Sequence, residues 1–227
     1  MNLFDILGPV MVGPSSSHTA GAVRIGWMTQ KLLGEQPVEA KILMYGSFAA
    51  TGKGHGTDRG LVAGLLGMRP DDERIPDSFE IARKMGLSYS FGIANLTSAH
   101  PNSVVLEVKE KSGRTLEVQA CSLGGGRIMI NRLDGLDVNC SCEIPTLIVH
   151  NLDQPGHVAE VTSMLAHKSV NIANMSLYRD KRGGSAVMVV EMDQPLPKES
   201  LEWLEHLEGI VKVTYINVTE GEEDDVL

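Results

Sequence analysis

From about residue 143 onward, apolar runs and amphipathic segments alternate in an order that few folds accommodate. In residues 157–167, Val158, Val161 and Leu165 recur at the spacing of one helix face. The turn sequence Lys181-Arg-Gly-Gly184 separates two strand-like segments and predicts a hairpin. The predicted strands are residues 143–150, 170–179, 185–192 and 210–218, and the predicted helices are residues 157–167 and 196–207. The resulting order, β-α-β-β-α-β, predicts a ferredoxin-like domain.

The preceding residues differ in character, because glycines and polar loops interrupt their periodic segments. The pattern there predicts helices at residues 19–33, 57–66 and 77–85, and strands at residues 38–45, 89–95, 103–109, 115–122 and, last, 127–131. The class is therefore α+β, with a mixed α/β domain over residues 1–143 and the ferredoxin-like domain over residues 144–219. Asp134-Gly-Leu-Asp-Val138 is the expected linker. The acidic run in residues 220–227 is expected to be a solvated, disordered tail.

Charge and cysteine content exclude several classes of protein. The 227 residues include 20 Lys and Arg against 29 Asp and Glu, a net charge of −9, which argues against nucleic-acid binding. No apolar run is long enough to span a membrane, and the first residues lack the basic side chains that open a secretory signal. Three cysteines are too few for a disulfide framework, so a cytoplasmic, reducing location is expected.

The most unusual stretch is Gly13-Pro-Ser-Ser-Ser-His-Thr19, which stands directly before a predicted helix. Backbone N–H groups at a helix start are unpaired, and the positive end of the helix dipole lies there. The hydroxyls of Ser15, Ser16 and Ser17 add further donors, so the segment is suited to bind a carboxylate or a phosphate. One such side chain would suffice as an ordinary N-cap, which leaves the others and His18 to be explained.

Two more polar segments have the same character, Gly54-His-Gly-Thr-Asp58 and His100-Pro-Asn102. The three histidines of the first domain all fall in such segments, at the ends of predicted elements, where loops gather into sites. Imidazole transfers protons near neutral pH, so His18, His55 and His100 are candidate catalytic residues. One alternative is that these imidazoles ligate a metal together with the neighbouring aspartate. Ordinary turn chemistry is another.

Two further features are weaker. Ser122-Leu-Gly-Gly-Gly126 ends a predicted strand and permits either close approach to a ligand or a tight bend. Cys140 and Cys142 are expected on one face of an extended segment, while Cys121 stands alone. Their spacing matches no cluster-binding pattern, so all three are expected to be buried apolar residues.

In the second domain, polar residues mark the junction between the first strand and the first helix. Asn151, Asp153, Gly156 and His157 lie there, and Asn174 lies near the start of the next strand. Such a junction suits a small carboxylate ligand, although turn formation explains the same residues equally well.

These motifs resemble two known families. Asp153-Gln-Pro-Gly156 with Val170-Asn-Ile-Ala-Asn174, on the β-α-β-β-α-β frame, resembles the ACT domain, a small amino-acid-sensing module. The segments at residues 13–19, 54–60, 100–102 and 122–126 together resemble the beta chain of the two-subunit, iron–sulfur-dependent bacterial L-serine dehydratases. The resemblance spans nearly the whole chain apart from the acidic tail. Its most specific strings are Ser-Ser-Ser-His-Thr and His-Gly-Thr-Asp.

The resemblance implies a reaction, the conversion of L-serine to pyruvate and ammonia. It also implies a cofactor, a [4Fe–4S] cluster that acts as a Lewis acid in place of pyridoxal phosphate. In the family the alpha chain ligates this cluster, so the present chain would hold no metal ligand and would be active only with that partner.

The resemblance also assigns residues. Those implied in catalysis are His18, His55, Thr57, His100 and Asn102. Those implied in substrate binding are Ser15, Ser16, Ser17 and Asp58. An amino-acid effector of the ACT domain would contact Asn151, Asp153, Gly156, His157 and Asn174. Self-association through the ACT domain or the first domain is expected as well.

A function of a different class stays open at this point. The first domain also resembles the allosteric substrate-binding domain of some phosphoglycerate dehydrogenases, which would make the chain a purely regulatory subunit that binds an amino acid or anion. The three imidazoles favour the enzyme, since a regulatory anion site needs only hydroxyls and positive charge. A free-standing hydrolase or lyase is disfavoured, because the sequence has no Ser-His-Asp order and no nucleophile elbow.

Overall fold

A computed structural model of the chain describes residues 10–217, apart from the side chain of residue 53. Tertiary contacts divide the chain into two compact units, one ending at Gly135 and the other beginning at Leu136. The division falls inside the expected linker, so residues 136–143 belong to the second unit and not to the first. The acidic run in residues 220–227 lies outside the described residues. Across residues 10–217, no helix combines the length and the apolar character needed to cross a bilayer.

The first unit places a set of helices against a mixed sheet. Its helices are α1 (Gly21–Leu33), α2 (Gly46–His55), α3 (Thr57–Leu65) and α4 (Ser78–Met85). Its strands are β1 (Pro37–Met44), β2 (Ser88–Ile93), β3 (Ser103–Glu110), β4 (Thr115–Gly124) and β5 (Arg127–Leu133). These strands lie in the order β2-β1-β3-β4-β5; β2 is parallel to β1, and the other neighbouring pairs are antiparallel. A π-helical turn, Ser16–Ala20, leads into α1, and a 3-10 turn, Ile75–Asp77, leads into α4.

Helices α1 and α3 pack so closely that glycine is required where they touch. A Cβ added to Gly64 would overlap the backbone of Val23, and one added to Gly60 would lie 3.1 Å from the backbone oxygen of Thr19. Gly64 lies four residues after Gly60, and its neighbour Val23 lies four residues after Thr19. Helices α1 and α3 therefore run in the same direction. Their N-termini therefore lie side by side at one end of the unit.

Helix α1 also contacts strand β4, so its apolar residues are enclosed between α3 and the sheet. Burying such side chains supplies most of the free energy that stabilises a fold of this kind. The fully buried residues of this core include Ile25, Met28, Leu32, Ile42, Leu61, Leu65, Leu106, Ile128 and Ile130.

The predicted helices at residues 19–33, 57–66 and 77–85 are confirmed to within a few residues, but α2 was missed. Its sequence, GSFAATGKGH, holds three glycines in ten residues, and glycine is a poor helix former. The burial of Phe48, which is complete, outweighs this low helix propensity. Gly56 then ends the helix in a left-handed conformation with φ 70°.

The second unit opens with β6 (Leu136–Cys140), where the sequence predicted only a linker, so β5 is the last strand of the first unit, as predicted. The remaining elements are β7 (Thr146–Leu152), α5 (His157–His167), β8 (Ile172–Arg179), β9 (Ser185–Met192), α6 (Lys198–Glu205) and β10 (Ile210–Ile216). Strands β7 to β10 form an antiparallel sheet in the order β10-β7-β9-β8. The predicted β-α-β-β-α-β order and the α+β class are confirmed. Both helices contribute to the core, which includes Leu147, Val149, Val161, Leu165, Met188, Val190 and Leu204.

Candidate functional site

His18 lies in the π-helical turn, where serine hydroxyls bond its backbone and both nitrogens of its ring. The Ser15 hydroxyl accepts a hydrogen bond of 3.1 Å from the backbone N–H of His18 and so caps the turn. The ring Nδ1 is 3.1 Å from Ser17 Oγ, and the ring Nε2 is 2.9 Å from Ser47 Oγ. Since Ser15 Oγ and Ser17 Oγ are 3.3 Å apart, the hydroxyls and the imidazole form one continuous chain. Ser16 lies in the same turn, and its backbone carbonyl accepts a hydrogen bond from the backbone N–H of Gly21.

The loop that contains His100 is tied to this chain through the start of α2. The backbone N–H of Ser47 donates to the carbonyl of Pro101 at 2.7 Å. Gly46 has φ 58° and packs against Pro101 so tightly that a Cβ there would overlap that residue's backbone. Glycine is therefore needed at this position both for its conformation and for its size.

His55, at the end of α2, brings a second imidazole to the same place. Its ring centroid lies 5.3 Å from that of His18, with the two planes inclined at 48°. The Thr19 hydroxyl donates to the carbonyl of His55 at 2.8 Å, which links the start of α1 to the end of α2. The His55 side chain is exposed, in contrast to the partly buried His18.

Thr57 begins helix α3, two residues beyond His55, and is fully buried. Its Oγ1 has no hydrogen-bond partner among the described residues, and the same holds for Ser122 Oγ, which packs against Gly21 at the start of α1. Burying a hydroxyl group without a hydrogen-bond partner costs free energy. Both hydroxyls can therefore form a hydrogen bond with a further group. Asp58 instead turns back onto its own helix and accepts the backbone N–H of Arg59 at 2.8 Å.

His100 and Asn102 form a compact turn at the same end of the unit. The backbone N–H of Asn102 donates to Nδ1 of His100 at 3.2 Å, so the neutral His100 ring carries its proton on Nε2. The carbonyl of Asn102 accepts from the backbone N–H of Ser122 at 3.0 Å, which connects this turn to β4. The His100 side chain is exposed.

Charge at this end of the unit favours a neutral His18 and a bound anion. Partial burial, together with the neighbouring His55, lowers the pKa of His18 below 6.5, so its imidazole is neutral at pH 7. The N-termini of α1 and α3 lie side by side, and their helix dipoles add partial positive charge at the same place. The arrangement can hold a small carboxylate next to two imidazoles.

Metal ligation is the alternative that the sequence left open for these imidazoles. Within residues 10–217, no three or more His, Cys, Asp or Glu side chains group closely enough to hold a metal ion. The thiols are buried: Cys121 lies in β4, and Cys140 Sγ is 3.2 Å from Cys142 Sγ in the second unit. Burial raises the pKa of Cys121, which keeps that thiol protonated. Cys142 lies beyond the end of β6 with φ 51°, so the two neighbouring cysteines do not share one extended strand as expected.

In the second unit, the residues expected around an effector differ in their burial and in their hydrogen bonds. Asn151 and His157 are buried, and Asn151 Oδ1 and His157 Nε2 have no partner among the described residues. The Asp153 carboxylate accepts the backbone N–H of Gly183 at 2.9 Å and the guanidinium of Arg179 at 3.0 Å. These bonds hold the pKa of Asp153 below its usual range and link the Gly156 turn to the β8–β9 hairpin.

Asn174 lies at the opposite end of the same sheet. It pairs with Glu191 and donates to that carboxylate at 3.0 Å, whereas Asn151 pairs with Ala186, five residues away along β9. One copy of the chain therefore does not bring Asn174 together with the other expected effector residues.

Sequence reasoning missed Ser47, whose hydroxyl bonds the His18 ring. The string Tyr45-Gly46-Ser47 at the end of a predicted strand was a usable sign, since polar residues at strand ends often line sites. Nothing in the string itself indicates a contact with a residue 29 positions earlier.

Fold and site together define a class: a two-unit α+β protein with an imidazole- and hydroxyl-lined site in its first unit and a β-α-β-β-α-β domain in its second. Family models match both parts, serine dehydratase beta chain over residues 2–90 and ACT domain over residues 145–207. The chain belongs to the serine dehydratase beta-chain family and carries a C-terminal ACT domain.

Individual relatives show how far the similarity extends. The chain is 40% identical to the probable L-serine dehydratase beta chain of Bacillus subtilis, covering 95% of this chain and 97% of that one. It is 37% identical to the L-serine dehydratase beta chain of Peptoniphilus asaccharolyticus, with the same coverage of both chains. Similarity to the D-3-phosphoglycerate dehydrogenase of Bacillus subtilis is lower, 24% identity over 87% of this chain and 37% of that one.

Proposed function

We propose that this chain is the beta subunit of a two-subunit enzyme that converts L-serine to pyruvate and ammonia. The observation that carries the proposal is the pairing of His18 and His55 at 5.3 Å within a cluster of serine hydroxyls and helix N-termini. Loss of water from serine requires removal of the proton on Cα, and imidazole is a suitable acceptor near neutral pH. Family membership at 40% identity over 95% of the chain supports the same reaction.

We assign proton transfer to His55. Its ring is exposed, whereas both ring nitrogens of His18 already bond hydroxyls. Because His18 is neutral at pH 7, it adds no charge beside a His55 ring that receives a proton. His18 thus orients the site and limits its charge.

Other groups bind and orient the substrate in this proposal. The turn of Ser15, Ser16 and Ser17, with the neighbouring helix starts, is placed to receive the substrate carboxylate. Thr57 and Asn102 orient the substrate, together with His100, whose protonated Nε2 is a hydrogen-bond donor. The Asp58 carboxylate is suited to the substrate ammonium group. After the hydroxyl group leaves, the enamine becomes an imine, which water hydrolyses to pyruvate and ammonia.

The resemblance implies a [4Fe–4S] cluster, but the described residues do not fit one. Such clusters are held by three or four cysteine thiolates, whereas Cys121 is a buried, protonated thiol and Cys140 and Cys142 offer only one pair. We therefore place the cluster ligands on an alpha-chain partner. The unpartnered hydroxyls of Thr57 and Ser122 support a site that another chain completes.

Anaerobic co-expression with a candidate alpha chain tests the proposal by measuring pyruvate formed from L-serine. The beta chain alone should be inactive and the complex active. His55→Ala should lower kcat of the complex by about 100-fold or more, the usual contribution of a general base. His206→Ala, which removes an exposed imidazole from the second unit, is the matched control and should leave kcat unchanged. Activity in the isolated chain, or unchanged turnover in His55→Ala, would contradict this assignment.

The regulatory alternative is not favoured. The beta-chain relatives match along 97% of their length, whereas the phosphoglycerate dehydrogenase matches over 37% of its own. A regulatory role within the enzyme still suits the ACT domain, for which we propose an amino-acid effector near Asn151, Asp153, Gly156 and His157. Self-association would allow Asn174 of a second copy to complete that site. A cytoplasmic location is proposed as well, because the three cysteines form no disulfide.

A further inference from the structure

The orientation of the His18 ring is set from two separate elements. Its Nδ1 is bonded by Ser17, the adjacent residue, at 3.1 Å. Its Nε2 is bonded by Ser47, which lies in α2 and 29 residues away in sequence, at 2.9 Å. With a hydroxyl on each nitrogen, rotation of the ring about its bond to Cβ would break at least one hydrogen bond.

Ser47 is itself held rigidly. Its backbone N–H donates to the carbonyl of Pro101 at 2.7 Å, and Gly46 before it packs against the same proline. Phe48 after it is fully buried and meets the His18 ring edge-on, with the ring centroids 5.6 Å apart. Ser47 thus bonds the His18 imidazole through its hydroxyl and the loop of His100 through its backbone N–H.

We propose that Ser47 is a positioning residue for the reaction, an inference that rests on the proposed function. Its hydroxyl fixes the plane of the His18 ring, and that ring in turn sets the surroundings of the His55 imidazole 5.3 Å away. Ser47 acts through His18 and does not contact the substrate. Small displacements of groups that surround a reacting centre are known to lower turnover strongly.

Three variants of the full-length chain test this role. Ser47→Ala removes the hydroxyl that bonds the His18 ring, and Ser47→Thr retains one. Thr51→Ala is the control, because the exposed Thr51 hydroxyl donates to the backbone carbonyl of Ser47 at 2.8 Å, so this variant removes a contact of the Ser47 backbone and leaves the Ser47 hydroxyl in place. Circular dichroism establishes that each variant is folded.

The first measurement is ¹⁵N NMR of the histidine rings in the beta chain alone, with His18 assigned by the signals that His18→Gln removes. In Ser47→Ala, the His18 ring nitrogens should shift clearly more than those of the six other histidines. Ser47→Thr should largely restore the wild-type shifts, and Thr51→Ala should leave them unchanged. Unchanged His18 shifts in Ser47→Ala would overturn the inference.

The second measurement is turnover of the complex with the alpha chain. Ser47→Ala should lower kcat by about tenfold to 100-fold with little change in KM, and Ser47→Thr should recover most of it. A rise in KM with unchanged kcat would show that Ser47 binds substrate, which overturns the positioning role. A wild-type complex that forms no pyruvate would instead contradict the proposed function, while the NMR result still decides whether Ser47 orients His18.

Discussion

Replacing Gly64 with alanine should force helices α1 and α3 apart and disturb the site at their N-termini. The new methyl group would lie 2.5 Å from the backbone nitrogen of Trp27 and closer still to the carbonyl of Val23, whereas ordinary contact begins at 3.4 Å. Both neighbours are backbone atoms within α1, so no flexible side chain can move aside. Relief requires the two helices to separate by more than about 1 Å, which costs about 3 kcal/mol, at the upper end of the range for overpacked cores.

The position of the tryptophans makes this loss measurable in the first unit alone. The chain has two, Trp27 in α1 and Trp203 in α6. Trp203 is 46% exposed, so Trp203→Phe should be tolerated and leaves Trp27 as the fluorescent probe. With a urea dependence of about 3 kcal/mol per M, the unfolding midpoint of Gly64→Ala should fall by about 1 M.

Gly54→Ala in the same background is the matched control. An added Cβ at Gly54 meets no atom within 4 Å, and alanine is the better helix former, so its midpoint should stay the same or rise. Equal midpoints for Gly64→Ala and Gly54→Ala would refute the argument that close backbone packing requires Gly64.

Three other outcomes are expected. Because the pKa of His18 is lower in the folded than in the unfolded chain, stability should fall as pH drops below about 6.5, and His18→Gln should flatten this dependence of the urea midpoint. All three cysteines are buried, and burial raises the pKa of Cys121, so Ellman's reagent should label no thiol in the native chain and three after unfolding; rapid labelling of the native chain would contradict this burial. Gly209 has φ 82° and an added Cβ would lie 2.6 Å from Nε2 of His157, so Gly209→Ala should destabilise the second unit by about 1–3 kcal/mol. The fluorescence of Trp203 reports that unfolding, and an unchanged midpoint would show that the second unit tolerates the strain.

Secondary structure was predictable where apolar residues form a clear pattern between turn residues. Helix α5 and strand β9 were predicted with the bounds that the structure has, because α5 has apolar residues at helical spacing and β9 is a continuous apolar run that follows a glycine turn. Helix α2 gives no such pattern, since Phe48 alone anchors a glycine-rich segment whose conformation depends on contacts distant in sequence. Strand β6 was missed because it begins just after Gly135, in a sequence that also suits a linker.

The sequence indicated that His18 and His55 lie together, but it indicated neither Ser47 nor the hydrogen bonds within the candidate site. Histidines at the ends of elements indicated a common site, and the structure places the rings of His18 and His55 5.3 Å apart. That Ser47 bonds His18 depends on the direction in which α2 leaves β1, which local sequence does not specify. Asn174 shows the same limit, because its distance from Asn151 follows from the strand register within the second sheet.

All members of the hydrogen-bonded chain from Ser15 to Ser47 belong to one polypeptide and bond one another directly. Its side chains already occupy defined rotamers, so a molecule that docks there meets a preorganised surface. Ordering a flexible side chain on association typically costs about 0.5–1.5 kcal/mol, and here folding has already ordered several of them. The hydrogen-bonded chain can therefore serve as a rigid template for a molecule that docks there, and the free energy of docking goes into affinity rather than into ordering the surface.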